Sequence, residues 1–364
     1  MQKIRLFVDA HVFEGIPQGS LTYIAGLYSE LIKDERFQLY VGSNEKSTAE
    51  NFLGSNNFVH IRYNTHSKFK RLLYTIHKAL KENKIDFAHF QYISPLQKPC
   101  KYIITIHDLL FLEFPENFPL SYRIKNSILF YISAKRADLI TTVSGYSKGS
   151  IHRLFKIPLT RIEITPNAVI ESHEKSQPIK QLQGKKFILF VSRIEPRKNQ
   201  ALLIEIWKEL KLFDQNIDLV LVGSEGIKDY QFSHQLQGLS EKEKQHFHWL
   251  TITPTQNLIW LYQNCSLFVF PSSAEGFGIP PLEAACYGAK VICSNKTAMA
   301  DFDFFGDALF SPDNRREFKY KLIHALAKDF PHQFVTKEIQ DKYNWQTISS
   351  NFAELIIKNF NDRS

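Results

Sequence analysis

Residues 271–288 read Pro-Ser-Ser-Ala-Glu-Gly-Phe-Gly-Ile-Pro-Pro-Leu-Glu-Ala-Ala-Cys-Tyr-Gly and directly follow the apolar run Leu267-Phe-Val-Phe270. Such a short apolar run is typical of a buried strand. Pro280 and Pro281 suit the first turn of a helix, where a missing N–H costs nothing. Gly288 suits the position just beyond the last turn of that helix. The stretch therefore predicts a strand, a glycine turn and a helix in direct succession.

Two carboxylates, Glu275 and Glu283, bracket the glycine turn, in which Gly276 and Gly278 flank Phe277. The N-terminus of a helix presents unpaired N–H groups and a positive dipole end, which suits a phosphate. Glycines allow a ligand to approach the backbone closely, and carboxylates accept hydrogen bonds from sugar hydroxyls. A strand, a glycine turn and a helix also form any α/β crossover, so the pattern alone does not establish a binding site.

Apolar strands alternate with amphipathic helices along the whole chain, which is typical of an α/β protein with parallel sheets. Because 364 residues exceed one ordinary core, we predict two doubly wound domains that face each other. Their ligand is expected in a cleft at the carboxyl ends of the strands. The predicted parts are an N-terminal domain over 1–172, a linker over 173–185, a second domain over 186–345, and a C-terminal helix over 346–364 that could cross back to the first domain.

The predicted elements of each half follow from the same alternation of patterns. In the first half, strands are expected at 4–9, 38–42, 58–62, 86–90, 102–106, 139–143 and 162–165, and helices at 20–33, 68–83, 121–135 and 146–155. In the second half, strands are expected at 187–191, 218–222, 247–250, 267–270 and 290–293, and helices at 199–212, 237–245, 256–263, 279–287 and 346–360.

Composition limits the class of protein. A hydrophobic content of 44% is that of a globular chain, and no apolar run approaches the roughly 18–20 residues of a membrane span. The charged start of the chain does not suit a signal peptide. The four cysteines form no Cys-x-x-Cys pair and sit in apolar contexts, so we expect buried free thiols in a reducing compartment. The expected location is the cytoplasm.

Cations follow the predicted strand 187–191, where the sequence runs Ser192-Arg-Ile-Glu-Pro-Arg-Lys-Asn199. Arg193 and Lys198 would lie at the carboxyl end of that strand, where a diphosphate could bind to a guanidinium fork and an ammonium point charge. A basic loop is also commonly just solvated. Arg197 in particular could point to solvent.

Two further loops end strands in the first half. His107-Asp108 follows the strand at 102–106, although a lone histidine there is often a packed or capping residue. Gly15 and Gly19 follow the first strand and precede an amphipathic helix, so they would permit close approach of a phosphate or an acceptor. A dehydrogenase fingerprint would need Gly-x-Gly-x-x-Gly directly after that strand, and the spacing of four excludes it.

These motifs together resemble those of family 4 of the retaining glycosyltransferases, which have the GT-B fold. The Glu-Gly-Phe-Gly-x-Pro-x-Leu-Glu-Ala stretch is similar to the family's Glu-x7-Glu signature, with Glu275 and Glu283 as its two acids. The resemblance extends over most of the chain, through Thr105-Ile-His-Asp-Leu109, Thr142-Val-Ser-Gly-Tyr-Ser147, Ile164-Thr-Pro-Asn167 and Val222-Gly-Ser-Glu-Gly226. Departures from the family pattern fall at Ser192, Ala168 and Ala300-Asp301.

The resemblance implies a role for each site residue. Glu275 would hold the hydroxyls of the transferred sugar and Glu283 those of the ribose, whereas Arg193 and Lys198 would hold the diphosphate. His107 would approach the sugar from the first domain. The other implied donor contacts are the backbone of Gly276, Phe277 and Gly278, the strand-end turn at Gly223, and the glycine loop with Gly15 and Gly19.

We therefore expect a retaining hexosyltransferase that acts on a glycan or lipid-linked acceptor in surface polysaccharide synthesis. Its donor would be a nucleotide diphosphate sugar, with GDP-mannose as the first guess from the resemblance. No cofactor and no metal site are expected, since no Asp-x-Asp pair ends a strand. The alternatives are a sugar-nucleotide epimerase or hydrolase of the same fold, and a non-catalytic nucleotide- or RNA-binding protein. No motif typical of RNA binding is visible, so nucleic acid is not an expected partner.

The net charge of +8 comes entirely from the N-terminal half of the chain. Residues 1–170 hold 22 Lys and Arg against 14 Asp and Glu, whereas the remainder holds 23 of each. Basic residues accompany an apolar stripe in the stretch 62–84, which includes the predicted helix at 68–83, and in the helix at 122–136, so an anionic membrane surface is a further candidate partner. The alternative is a pair of ordinary helices whose stripes face the domain core. In the first helix the basic side chains include Lys68, Lys70 and Arg71.

Overall fold

The computed structural model describes residues 3–14, 19–63, 70–169, 172, 174–327 and 332–361. The chain forms two compact units. The first comprises Met1–Ala168 together with Tyr343–Ser364, and the second comprises Val169–Lys342. Each unit contains one parallel sheet with helices, so the expected α/β class with two doubly wound sheets is confirmed. The sequence predicted the end of the first domain at residue 172 and the end of the second domain at residue 345.

The described residues of the first unit form a seven-stranded sheet in the order β3-β2-β1-β4-β5-β6-β7, with every pairing parallel. Buried side chains occupy both faces of its central strands, as expected for a sheet covered by helices. The strands are β1 (Ile4–Asp9), β2 (Phe37–Ser43), β3 (Val59–Arg62), β4 (Phe87–Gln91), β5 (Lys101–Thr105), β6 (Leu139–Thr142) and β7 (Ile162–Ile164).

Helices connect these strands. A π-helical turn, Arg71–Thr75, leads into the third of them, and the start of the predicted helix at 68 lies outside the described residues. The helices are α1 (Gly19–Leu31), α2 (Lys46–Leu53), α3 (Ile76–Glu82), α4 (Leu110–Glu113), α5 (Leu120–Arg136) and α6 (Gly145–Phe155).

The described part of the second unit contains a six-stranded sheet in the order β10-β9-β8-β11-β12-β13, again parallel. The strands are β8 (Lys186–Val191), β9 (Ile217–Val222), β10 (Phe247–Leu250), β11 (Leu267–Phe270), β12 (Val291–Ser294) and β13 (Leu309–Phe310). The helices are α7 (Gln200–Glu209), α8 (Tyr230–Gln237), α9 (Glu241–Gln245), α10 (Thr255–Asn264), α11 (Ile279–Cys286), α12 (Arg315–Ala327) and α13 (His332–Lys342).

The prediction of one helix over 237–245 was wrong. Helix α8 ends at Gln237 with Gly238 as its C-cap, and α9 begins at Glu241 with Ser240 as its N-cap. The Ser240 side chain accepts a hydrogen bond from the Glu243 N–H, and the Glu243 carboxylate accepts one from the Ser240 N–H. This capping box starts a new helix. The prediction also missed α2, α12 and α13.

The last helix, α14 (Trp345–Asn361), belongs to the first unit. It packs on α1, where Gly26 leaves room for the indole of Trp345. An ion pair of 2.7 Å between Glu354 of α14 and Arg36, the residue before β2, also attaches the helix to the first unit. Of the four cysteines only Cys293 is fully buried, so the expectation of burial was wrong for Cys100, Cys265 and Cys286. No helix among the described residues is both long and apolar enough to cross a bilayer.

Candidate active site

The second unit arranges the motif as the sequence predicts, with the turn between β11 and α11. Glu275 lies in this turn, and its N–H donates to the hydroxyl of Thr297 at 2.8 Å. Gly278 precedes the helix at a φ of 102°, a conformation that favours glycine. A Cβ at that position would also lie 3.0 Å from the Met299 side chain. Because Pro280 and Pro281 have no N–H, the donors at this end of the helix come from Ile279 and the glycine turn.

Backbone contacts join this turn to the loop after β8. The carbonyl of Arg197 accepts hydrogen bonds from the backbone N–H of Ser273 at 2.8 Å and from the Ser272 hydroxyl at 3.1 Å. The side-chain amide of Asn199 donates to the carbonyl of Pro271 at 2.8 Å. The two loops therefore form one structure, and this brings the cations of one loop to the carboxylate of the other.

Glu275 is the centre of an ion-pair network. Its Oε1 accepts a hydrogen bond from Nζ of Lys198, and its Oε2 lies 3.1 Å from Nη1 of Arg197. The other side of the Arg197 guanidinium binds Glu195 at 2.8 Å, and Glu195 also binds Arg193 at 3.0 Å. Three cations and two carboxylates thus leave one net positive charge at the carboxyl end of β8.

The suggestion that Arg197 points to solvent was wrong. Its side chain is 14% exposed and bridges both carboxylates, whereas Arg193 is 47% exposed. Sequence reasoning also missed Glu195, which binds both arginines. The only signal in the sequence was the alternation of charges in Arg193-Ile-Glu195-Pro-Arg197.

Burial and charge act against each other on this network. Burial acts to raise the pKa of Glu275, but the nearby charges of Lys198 and Arg197 outweigh it, so its pKa lies below the ordinary value. Burial lowers the pKa of Lys198, although Glu275 opposes the shift. A carboxylate has about four acceptor positions and an ammonium three donors. Glu275 and Lys198 therefore keep hydrogen-bonding capacity for a ligand.

Glu283 has a different environment on α11. Its Oε2 accepts a hydrogen bond of 3.1 Å from the hydroxyl of Tyr262. Burial raises its pKa, and the hydrogen bond from Tyr262 only partly offsets this. Tyr262 stacks on Tyr287 with ring centres 5.7 Å apart. The structure therefore places the two signature acids in distinct settings, one among cations and one among tyrosines.

Gly223 follows β9, at a φ of 141°. Its Cα lies against the backbone of Ser192, so that a Cβ would overlap the Ser192 carbonyl. The Ser192 N–H donates to Val222 at 2.9 Å. Glycine is required here because the ends of two neighbouring strands approach each other closely.

In the first unit, His107 lies just beyond the carboxyl end of β5 and is buried. Its Nε2 hydrogen-bonds the side-chain oxygen of Gln91. Since an amide oxygen only accepts, Nε2 carries the proton, and Nδ1 of the neutral ring is an acceptor. Burial lowers the pKa of His107 to about 3. The imidazole is therefore neutral near pH 7 and is suited to accept a hydrogen bond from a hydroxyl.

The glycine loop is described only in part. Gly15 lies outside the described residues, and Gly19 is the first residue of α1 with open space around it. Asp9, at the end of β1, is buried and binds the hydroxyl of Tyr63 and, at 3.8 Å, the guanidinium of Arg71. Arg71 is only 5% exposed. Its assignment to a basic docking surface was therefore wrong, while Lys68 lies outside the described residues.

Family models match both halves of the chain. The model described as glycosyl transferases group 1 matches residues 171–338, and the model described as glycosyltransferase family 4 matches residues 18–173.

The chain is also similar to individual proteins. It is 32% identical over 248 residues to the O-antigen chain mannosyltransferase B of Escherichia coli, covering 64% of this chain and 63% of that protein. It is 30% identical over 282 residues to the serotype-specific mannosyltransferase WbdA of Escherichia coli, covering 72% of this chain and 33% of that protein. It thus spans less than two thirds of each. Among solved structures, sucrose-phosphate synthase from Thermosynechococcus elongatus matches with a TM-score of 0.75 at 14% identity, over 99% of this chain and 100% of that one.

Proposed function

The chain belongs to the group 1 glycosyltransferases of family 4, which have the GT-B fold, and we propose that it is a retaining mannosyltransferase of surface polysaccharide synthesis. The observation that carries the proposal is the network in which Lys198 and Arg197 flank Glu275 at a glycine turn. Such a site combines cations for a diphosphate with a carboxylate for sugar hydroxyls. The mannosyltransferase relatives support mannose as the sugar and GDP-mannose as the donor.

In the proposed reaction, the bond between the anomeric carbon and the β-phosphate oxygen breaks. A bond from the acceptor oxygen forms on the same face of the sugar, and the acceptor proton passes to the leaving phosphate oxygen. Arg193, Arg197 and Lys198 would stabilise the charge that develops on the diphosphate, as preorganised cations do in a site that excludes water. These three cations support a reaction that needs no metal ion and no cofactor.

The first unit would supply the acceptor side. His107, held neutral by burial, would accept a hydrogen bond from a hydroxyl of the transferred sugar. The acceptor would be a glycan or a lipid-linked glycan, and the excess of basic residues in 1–170 supports a peripheral position on the inner face of the membrane.

The first test is a thermal-shift panel with GDP, UDP and dTDP. A ligand at 100 times its Kd should add about 2.7 kcal/mol to the free energy of unfolding, and we expect the largest shift for GDP. The purified chain is then given GDP-mannose and a mannose-terminated glycan acceptor, with and without EDTA. An α-mannosyl product that forms equally in EDTA supports the proposal. A β-linked product, a requirement for Mg²⁺ or Mn²⁺, or release of free mannose without transfer would contradict it.

A further inference from the structure

An apolar cavity of about 390 Å³ opens on the first unit. It lies among the π-helical turn before α3, the loop after β4 and one side of α5. This volume is at the lower end of the roughly 300–1,000 Å³ of ligand pockets. Its walls consist mainly of aliphatic side chains, among them Leu72, Leu73, Leu96, Ile128, Leu129 and Ile132.

The two serines in the wall of the cavity, Ser94 and Ser133, form hydrogen bonds within the wall. The N–H of Ser94 donates to the hydroxyl of Ser133 at 3.1 Å, and that hydroxyl donates to the carbonyl of Leu129 at 2.9 Å. A wall with satisfied polar groups offers little to water and suits a hydrocarbon.

The surface beside the cavity is also apolar. On α5, the side chains of Leu120, Ile124, Ile128 and Tyr131 are exposed, with Ile124 and Ile128 each at 55%. Their spacing of four, four and three residues places them on one face of the helix. The alternative in which this helix turns its apolar stripe to the core is therefore wrong for these four residues. Contiguous exposed apolar patches mark interaction sites.

The charge of this face is positive. The 17 residues of α5 include four basic and no acidic side chains. Two of the basic residues, Lys125 and Arg136, line the cavity. The carboxylate just after the helix, Asp138, is bound to Lys98 at 2.7 Å. An anionic group at the rim of the cavity would therefore meet cations.

We propose that this cavity takes a hydrocarbon chain of an anionic bilayer lipid, whose head group binds Lys125 and Arg136. The inference rests on the peripheral membrane position in the proposed function and gives that position a defined contact. A second copy of the chain fits less well. In a two-fold contact the same patch meets itself, so Lys125 and Arg136 would oppose identical charges with no acid on α5 to offset them.

The first experiment measures binding of a soluble short-chain lipid, dihexanoylphosphatidylglycerol, to the full chain by calorimetry. Ile132→Trp fills the cavity but keeps the face apolar and its charge unchanged, and we expect it to weaken binding at least tenfold. Ile124→Trp is the matched control, because residue 124 lies on the same helix but does not line the cavity. The control should bind within twofold of the wild type. Equal binding by wild type and Ile132→Trp would overturn the inference.

A second variant keeps the test informative if Ile132→Trp does not fold. Ile128→Glu changes an exposed residue at the cavity and should abolish flotation with phosphatidylglycerol vesicles. Ile323→Glu, at a residue 50% exposed on α12 of the second unit, introduces the same charge and should float as the wild type does. Flotation that survives Ile128→Glu would contradict the proposal. So would lipid-independent dimerisation that Ile128→Glu abolishes.

The nature of the head group is tested with dihexanoylphosphatidylcholine, which carries no net charge. Weaker binding of this lipid, with a difference that Lys125→Gln reduces, supports an anionic head group at the rim. Equal binding of the two lipids would overturn the assignment of an anionic head group to the rim of the cavity. Transfer from GDP-mannose to a lipid-free acceptor should be the same in Ile128→Glu as in the wild type. If the wild type binds lipid but transfers no mannose, only the proposed function fails; if it transfers mannose but binds no lipid, only this inference fails.

Discussion

Nη1 of Arg197 lies 3.1 Å from Oε2 of Glu275, although the two residues are 78 positions apart in the sequence. The contact exists because β8 and β11 are neighbours in the sheet, so the loops at their carboxyl ends meet. With Lys198 on the other oxygen, the Glu275 carboxylate holds two cations in place. The acid that would bind the sugar is thus also the group that positions the cations for the diphosphate.

Replacing Glu275 by Gln should therefore have two effects. Transfer should fall at least about 100-fold, the loss typical when a group that acts in the transition state is removed. The free energy of unfolding should fall by about 3 kcal/mol, because two cations in a buried setting lose their counter-charge. The measurements are the kcat at saturating donor and urea unfolding. Glu283→Gln is the control, since Glu283 binds a tyrosine rather than a cation; it should weaken nucleotide binding with a smaller loss of stability. Wild-type turnover in both variants would refute the assignment of the two acids.

The cations of the network should distinguish the diphosphate from the rest of the nucleotide. Lys198→Ala and Arg197→Ala should each weaken GDP binding by about 1.5–3 kcal/mol, the usual contribution of a hydrogen bond to a charged group, and should leave guanosine binding nearly unchanged. Arg193→Ala should have a smaller effect because that side chain is half exposed. Calorimetry with both ligands measures the difference. Arg315→Ala, an ion-paired arginine on α12, is the control, and a loss of GDP affinity in it equal to that in Lys198→Ala would remove the network from the site.

The sequence predicted the local placement of these residues well and their contacts with one another poorly. The positions of Glu275 and Lys198 after strands, and of Glu283 on the helix that follows the glycine turn, follow from apolar runs, glycines and prolines, which are local signals. The bridging role of Arg197 depends on which strands are neighbours in the sheet, and no local pattern records that. The same limit explains Arg71, which lies in a basic stretch but pairs with Asp9, 62 positions earlier.

Local signals also failed where a stripe of apolar residues could face either the core or the solvent. In α3, Ile76 and Leu80 are buried as an amphipathic helix requires. In α5 a similar composition leaves Ile124 and Ile128 exposed, because Phe130, Ser133 and Ala134 on the opposite face make the contact with the core. The amino-acid pattern alone does not distinguish these two outcomes.

His107 predicts a dependence of stability on pH. Its pKa is about 3 in the folded chain and about 6.5 when unfolded, so the unfolded state binds the extra proton. The contribution of the neutral His107 to the free energy of unfolding is thus fully present above about pH 6.5 and is lost as the pH falls from there towards 3. Between pH 7 and pH 5 the contribution of His107 should fall by about 2 kcal/mol. Urea unfolding at both pH values checks this, and His107→Gln should lose about 2 kcal/mol less than the wild type over the same interval. Identical pH dependence of the two proteins would show that the histidine is not buried in its neutral form.

The attachment of the C-terminal helix is tested at Gly26. A Cβ at this position of α1 would fall among the Cε2, Nε1 and Cδ2 atoms of Trp345. Alanine normally stabilises a helix interior by about 0.5–1 kcal/mol relative to glycine, but overpacking a fitted contact costs about 1–3 kcal/mol. We therefore expect Gly26→Ala to lower the free energy of unfolding.

Gly149→Ala on α6 is the matched control, because a Cβ there meets nothing within 4 Å. This variant should be more stable than the wild type. The double variant Gly26→Ala with Trp345→Leu should be less destabilised than the sum of the two single changes, since removal of the indole relieves the overlap and the two residues are in direct contact. Urea unfolding of the wild type, Gly26→Ala, Trp345→Leu and the double variant measures the coupling free energy between the two residues. A stabilising Gly26→Ala, or strict additivity in the double variant, would mean that Trp345 does not pack on α1.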